Sequence, residues 1–219
     1  MPRWTKAFLG LLLIPICICF TRALVRVIQH TGSASSFWIA FIAGFGAWIL
    51  LFLRLPKPLW VYVVGHELTH AAWTWLFGGR VKALHITSRG GHVRVTKSNF
   101  LTVLAPYFFP FYAVLWALAF GMANWIFHWN AYLFWFHLGL GIAYGFHATL
   151  TLYILRTRQT DIESEGWIFS MAIIWIGNTL IPLVSLPILT GRLSAISGFT
   201  FILEAFRWFM DVFSRVWNR

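Results

Sequence analysis

Long apolar runs separated by short polar or basic segments set the pattern of this chain. Six of them fall approximately over residues 7–25, 37–53, 59–77, 100–125, 131–155 and 166–189. Each is long enough, or nearly so, to cross a bilayer as a helix, which takes about 20 apolar residues. The first run, preceded by Arg3 and Lys6, has the charged flank of a signal peptide. The stretch that ends it, Pro15 to Phe20, offers no small-x-small cleavage site, so a retained helix is expected, kinked at Pro15. Between the third and fourth runs the period changes. Val81–Thr87 and His92–Thr96 show partial alternation and β-branched residues around Arg89-Gly90-Gly91, which predicts a hairpin over about 80–98. After Gly198, Glu204, Arg207, Asp211 and Arg215 recur at three- and four-residue spacing. They form one charged stripe on an otherwise apolar helix, as expected for a segment lying in the membrane interface.

The expected fold is therefore an all-α polytopic membrane protein with about six transmembrane helices and a small interfacial β-hairpin. Residues 1–195 would form the membrane domain and 196–219 a C-terminal amphipathic helix. Composition agrees: 59% of the 219 residues are hydrophobic and 11% charged, against about 25% charged in soluble domains. The net charge of +11 sits mainly between and beyond the apolar runs. It suits anionic lipid headgroups, and no basic face with interleaved aromatics points to nucleic acid. Lysines and arginines divide almost evenly between the two sides, which leaves orientation open. Fourteen tryptophans suit interfacial belts. Cys17 and Cys19 are two apart in an apolar helix and point to different faces, so no disulfide is expected between them. In the fifth run Gly141 and Gly145 give a small-residue spacing that permits close helix packing.

The chemistry concentrates in Gly65-His66-Glu67-Leu68-Thr69-His70 within the third run. On a helix His66 and His70 share a face and can present two imidazoles to one metal ion. Glu67 falls beside them, where a carboxylate can take a proton from a water activated by that metal. Ionisable groups in an apolar helix are costly, and by default they mark a functional site. A third protein ligand is expected, and only six acidic residues exist: Glu67, Asp161, Glu163, Glu165, Glu204 and Asp211. The last two belong to the amphipathic stripe. Asp161 is favoured because a short side chain at a helix start is held rigidly. Glu163 and Glu165 are the nearest alternatives, and all three also suit a helix N-terminus through its dipole. His147, with Thr151 one turn on, is a candidate for supporting a metal ligand from behind or for contacting substrate. Asn178 could hydrogen-bond either a substrate backbone or a neighbouring helix. His128 and His137 lie near Trp-rich segments, and His85 and His92 belong to the hairpin. In lipid an open strand edge is unsatisfied, so the hairpin must lie at the interface or line a protein-walled cavity. There it either serves as an edge for an extended peptide or simply connects two helices.

With these residues in view, the chain resembles the site-2 protease family of intramembrane zinc metalloproteases. The resemblance rests on Gly65–Ala71 within an apolar run, on Phe77-Gly78-Gly79-Arg80-Val81 after it, and on the hairpin that follows. The usual Leu-Asp-Gly of that family is not present. Gln159-Thr160-Asp161-Ile162 looks like a shorter, divergent branch, and Leu104-Ala105-Pro106-Tyr107 is a loose match to a small Gly-Pro motif. The resemblance implies zinc held by His66, His70 and Asp161, with Glu67 activating water for peptide-bond hydrolysis. The substrate it implies is a membrane protein cut in or near a membrane-spanning segment. A catalytically degenerate membrane scaffold and a metal or ion carrier are the alternatives. A carrier should show polar residues along more than one span.

Overall fold

The computed structural model describes residues 2–87 and 90–217. In chain order its elements are α1 (Arg3–Leu12), α2 (Ile14–Thr31), α3 (Ser35–Arg54), α4 (Leu59–Leu76), β1 (Val81–Thr87) and β2 (Gly90–Val95). There follow α5 (Phe100–Leu104), α6 (Phe111–Phe127), α7 (Leu133–Ile154), α8 (Thr160–Glu165), α9 (Trp167–Thr190) and α10 (Ser197–Trp217). A 3₁₀ turn over Ala105–Tyr107 continues α5. The structure is thus helical with one two-stranded antiparallel sheet.

Among the described residues, three helical segments are both long and apolar enough to cross a membrane: Arg3–Thr31, formed by α1 and α2, then α3, and α9. They coincide with the first, second and sixth apolar runs. The fourth run passes the same test only if Phe100–Tyr107 and Phe111–Phe127 count together, and these are bent by 81°. Helices α4 and α7 have 18 and 22 residues, so length is not what sets them apart. His66, Glu67 and His70 on α4, and His137 and His147 on α7, lower their apolarity. The break between α1 and α2 falls at Leu13, and Pro15 sits in the first turn of α2, where its missing N–H costs no helical bond.

The chain divides into two compact units. The first comprises residues up to Ser35 together with Ile162 onward. In it Gly10 of α1 lies against the backbone of Ile168 and Phe169 in α9, and the Lys6 ammonium pairs with Glu165 at 2.8 Å. Cys17 and Cys19 are both free. Their thiols point to the carbonyls of Ala172 and Ala205, on different helices, at 3.7 Å each. Helix α10 buries Gly198, Phe201 and Ala205 while Glu204, Arg207, Asp211 and Arg215 stay exposed. That is the division its stripe of charges predicts.

The second unit spans Ser36–Asp161. Its backing is a seam between α3 and α7 in which glycine lets backbone meet backbone. Gly44 lies under the Leu138 carbonyl, and Gly141 under the Phe41 carbonyl. Trp48 packs over Gly145 and donates from Nε1 to Thr149 Oγ1 at 2.8 Å. Helix α6 joins α7 through a stacked Phe120–Phe136 pair, centroids 4.4 Å apart, and through Trp116 Nε1 donating to the Phe136 carbonyl.

The seam separates two glycines of one helix. A methyl on Gly44 would run into a backbone carbonyl, whereas no heavy atom lies within 4 Å of the Cβ position of Gly46. Gly44→Ala should therefore destabilise by roughly 1–3 kcal/mol, the usual cost of overpacking. Gly46→Ala should be neutral or gain up to about 1 kcal/mol from helix propensity. Thermal unfolding of the two variants in detergent checks this, and equal midpoints would mean that the seam does not carry the packing.

Candidate metal centre

Helix α4 is bounded by its own sequence. Pro58 stands immediately before its first turn. At the other end Gly78 takes φ +68°, donates to the Trp75 carbonyl at 2.9 Å, and is followed by Gly79 donating to Thr74 at 2.8 Å. This pair of bonds is the left-handed glycine stop that satisfies the last carbonyls of a helix. The Phe77-Gly78-Gly79 segment thus ends the helix and turns the chain into β1.

Between these ends α4 buries Glu67, Thr69, His70 and Thr74. Gly65 makes room for the ring of Tyr112, whose hydroxyl donates to the Val61 carbonyl at 2.6 Å. One turn on, the rings of His66 and His70 stand edge to face with centroids 4.9 Å apart. Both face Asp161: His66 Nε2 lies 3.3 Å and His70 Nε2 3.5 Å from its Oδ2. One ligand atom from each of the three residues lies within 4.8 Å of the others, and among the described residues this is the one such group.

The donor set fits a tetrahedral metal. Ligand atoms about 2.0–2.1 Å from zinc stand about 3.3 Å apart, close to both observed distances to Asp161. Two imidazole nitrogens and a carboxylate oxygen are ligands that zinc accepts. The surroundings also fix the histidine that matters. His70 Nδ1–H donates to the Thr102 carbonyl at 2.8 Å, so its Nε2 lone pair is directed at the centre. Thr102 is itself held by α5, whose Asn99 side chain accepts from the Thr102 N–H at 2.8 Å. His66 Nδ1 is buried without a partner among the described residues.

Asp161 enters from α8, before the sixth apolar run rather than in its first turn. The fully buried Tyr107 donates from its hydroxyl to Asp161 Oδ2 at 3.0 Å. Burial acts to raise the Asp161 carboxyl, but hydrogen bonds and charge from His66 and His70 outweigh it and hold it well below the usual carboxylate range. The two alternative carboxylates lie elsewhere: Glu165 is tied to Lys6, and Glu163 is exposed on α8. Neither joins the group of three.

Strand β2 covers Glu67. The strands pair His85 with His92 and Thr87 with Gly90, with an irregularity between Val81 and Ala83. Gly90 and Gly91 are therefore strand residues rather than the turn that the sequence suggests, and Arg89 lies outside the described residues. A Cβ on Gly91 would stand 2.7 Å from Glu67 Cγ. Only a residue without a side chain lets the strand approach this closely. A cavity of about 510 Å³ opens here, lined by His66, Glu67, His70 and Asp161 together with β2, while β1 takes no part.

Of the other candidates, His147 is buried on α7 with Nε2 unpartnered among the described residues. It lines a separate small cavity beside His66 and Tyr62 and does not join the ligand group. Asn178 belongs to the first unit, where its amide donates to the Ile174 carbonyl of its own helix. His137 packs edge-on against Phe37. Tyr107, Thr102 and Gly91 were not singled out as site residues by the motif. A tyrosine in an apolar run, needing a partner for its hydroxyl, was the one available signal for the first. Comparison with protein-family models, curated proteins and solved structures finds no match to this chain.

Proposed function

We propose that the chain is an intramembrane zinc metalloendopeptidase of the site-2 protease kind, cutting membrane-protein substrates in or near their spanning segments. The observation that carries this reading is the convergence of His66, His70 and Asp161 beside a buried glutamate and an open strand edge. When bound, zinc would polarise the scissile carbonyl and lower the pKa of water. The rest of the chemistry belongs to the chain. His66, His70 and Asp161 supply the ligands, with Thr102 and Tyr107 orienting two of them. Glu67 takes a proton from the attacking water as the C–O bond forms. It returns that proton to the amide nitrogen as the C–N bond breaks, so water is added across the peptide bond.

The substrate must be extended to reach these groups, because a helix has no backbone bonds to spare. Strand β2 pairs with β1 on one side and borders the cavity on the other. A strand added at that border would gain main-chain hydrogen bonds and lie along the metal centre. A carrier is less well supported, since no second group of three ligands exists among the described residues.

Elemental analysis of detergent-purified protein tests the centre. Wild type should hold about one zinc per chain, and His66→Ala and Asp161→Ala should each lose it. Zinc kept by Asp161→Ala would remove that residue from the ligand set, and a folded wild type that takes up no zinc would favour the scaffold. Glu67→Gln should abolish cleavage of single-span substrates co-reconstituted in liposomes while zinc content stays at the wild-type level. Activity retained in that variant would sink the role assigned to Glu67. Gly91→Ala should keep zinc yet lower cleavage by about ten-fold or more, because its methyl displaces either the strand or Glu67. An unchanged rate would show that close approach of β2 is not needed.

A further inference from the structure

The first unit carries two adjoining cavities that the metal centre does not use. One, of about 120 Å³, is lined by Arg22 and Arg26 of α2 and by Phe201, Glu204 and Ala205 of α10. The other, about 470 Å³, is an apolar groove beside Ile14, Ile18, Val25, Trp175 and Trp208, and Arg22 borders it too. The groove runs along α2 from Ile14 to Val25, about 16 Å at 1.5 Å per residue. Arg22 and Arg26 are the two arginines in the last third of the crossing segment Arg3–Thr31, the part that leads toward one headgroup layer.

The charges at the junction are unequal. Arg26 faces Glu204 at 3.8 Å and lies over the Phe201 ring. Arg22 stacks on Trp208, 4.2 Å from its centroid, and among the described residues no carboxylate pairs with it. The stacked ring holds the guanidinium in place and leaves its N–H donors open. A fixed, unneutralised cation therefore stands where a polar pocket meets an apolar groove.

We propose that this junction binds one anionic glycerophospholipid, its phosphodiester on Arg22 and an acyl chain along the groove of α2. The planar guanidinium matches phosphate oxygens in pairs. Two arginines face a single carboxylate, Glu204, at this cavity, so anionic headgroups are preferred over zwitterionic ones. The lipid would fill the space between α2 and the exposed side of α10, securing that amphipathic helix to the membrane-crossing pair α2 and α9.

Native mass spectrometry of the full chain, released from micelles holding equal phosphatidylglycerol and phosphatidylcholine, tests the site. Wild type should retain one phosphatidylglycerol in preference to phosphatidylcholine. Arg22→Gln should lower that retention at least about five-fold, the worth of one basic residue at a lipid surface. Arg215→Gln, which removes the same charge from an exposed position on α10, should leave it unchanged. Val25→Trp fills the groove with Arg22 intact and should also release the lipid. Because Val25 is exposed, this variant decides the matter alone if Arg22→Gln does not fold. Equal retention of the two lipids, equal loss in Arg215→Gln, or full retention in Val25→Trp would each overturn the proposal. So would displacement by millimolar inorganic phosphate, which would make a free anion the ligand.

Discussion

Everything in the second unit answers to the cost of holding two imidazoles and a carboxylate at one point away from water. Such groups are tolerated only where each is paired. Here the partners come from three separate stretches: His66 and His70 from α4, the Thr102 carbonyl and Tyr107 from α5 and the 3₁₀ turn that continues it, and Asp161 from α8. None of these contacts is local in sequence except the histidine pair. The fold of residues 59–161 can be understood as the set of turns needed to deliver them. The bend of 81° between Phe100–Tyr107 and Phe111–Phe127 is part of that delivery. Thr102 and Tyr107 share the short arm before the bend, which lies against α4, while α6 leaves in another direction after Pro110.

Backbone proximity supplies the rigidity that such a centre requires. Ligands must be held within about 0.5 Å of their working geometry, which flexible side-chain packing alone does not guarantee. In this unit several close approaches are made at glycine: Gly44 and Gly141 in the α3–α7 seam, Gly65 beneath Tyr112, and Gly91 over Glu67. At the first two a backbone carbonyl occupies the space a side chain would take, at Gly65 a ring, and at Gly91 the side chain of Glu67. Neighbouring lipid offers no hydrophobic drive for helices to associate, so close van der Waals contact must replace it. The same device that joins the helices thereby fixes where Glu67 and His66 stand.

The sequence revealed the parts of this site that are local and hid those that depend on the fold. His66, Glu67 and His70 could be placed on one helix because a four-residue spacing has only one helical meaning. The end of α4 was equally legible in Phe77-Gly78-Gly79, since glycine alone readily adopts the positive φ found at Gly78. Spacing could narrow the third carboxylate to Asp161, Glu163 and Glu165 but could not order them by reach. The deciding contacts, Lys6 with Glu165 and Tyr107 with Asp161, join residues 159 and 54 positions apart. Gly90 and Gly91 depart from the expected turn for a related reason. A Gly-Gly pair favours turns in isolation, and only the proximity of Glu67 explains why bare backbone is wanted at Gly91 inside the strand. Among the described apolar segments, the three that meet the length and apolarity of a span without a sharp bend contain none of the three candidate ligands.

That last division has a physical logic. A helix that carries ionisable groups cannot also be uniformly apolar, so α4 owes its place to its neighbours rather than to lipid. Its ends are fixed by a proline and a glycine stop, its ligand face by α5 and the 3₁₀ turn, and its glutamate by β2. The hairpin is subject to the same rule, since strand edges at membrane depth need partners. Strand β2 satisfies one edge with β1 and turns the other toward a cavity lined by polar groups. Under the function proposed above, an extended peptide is the occupant whose own unpaired backbone would match that edge, which runs past Glu67.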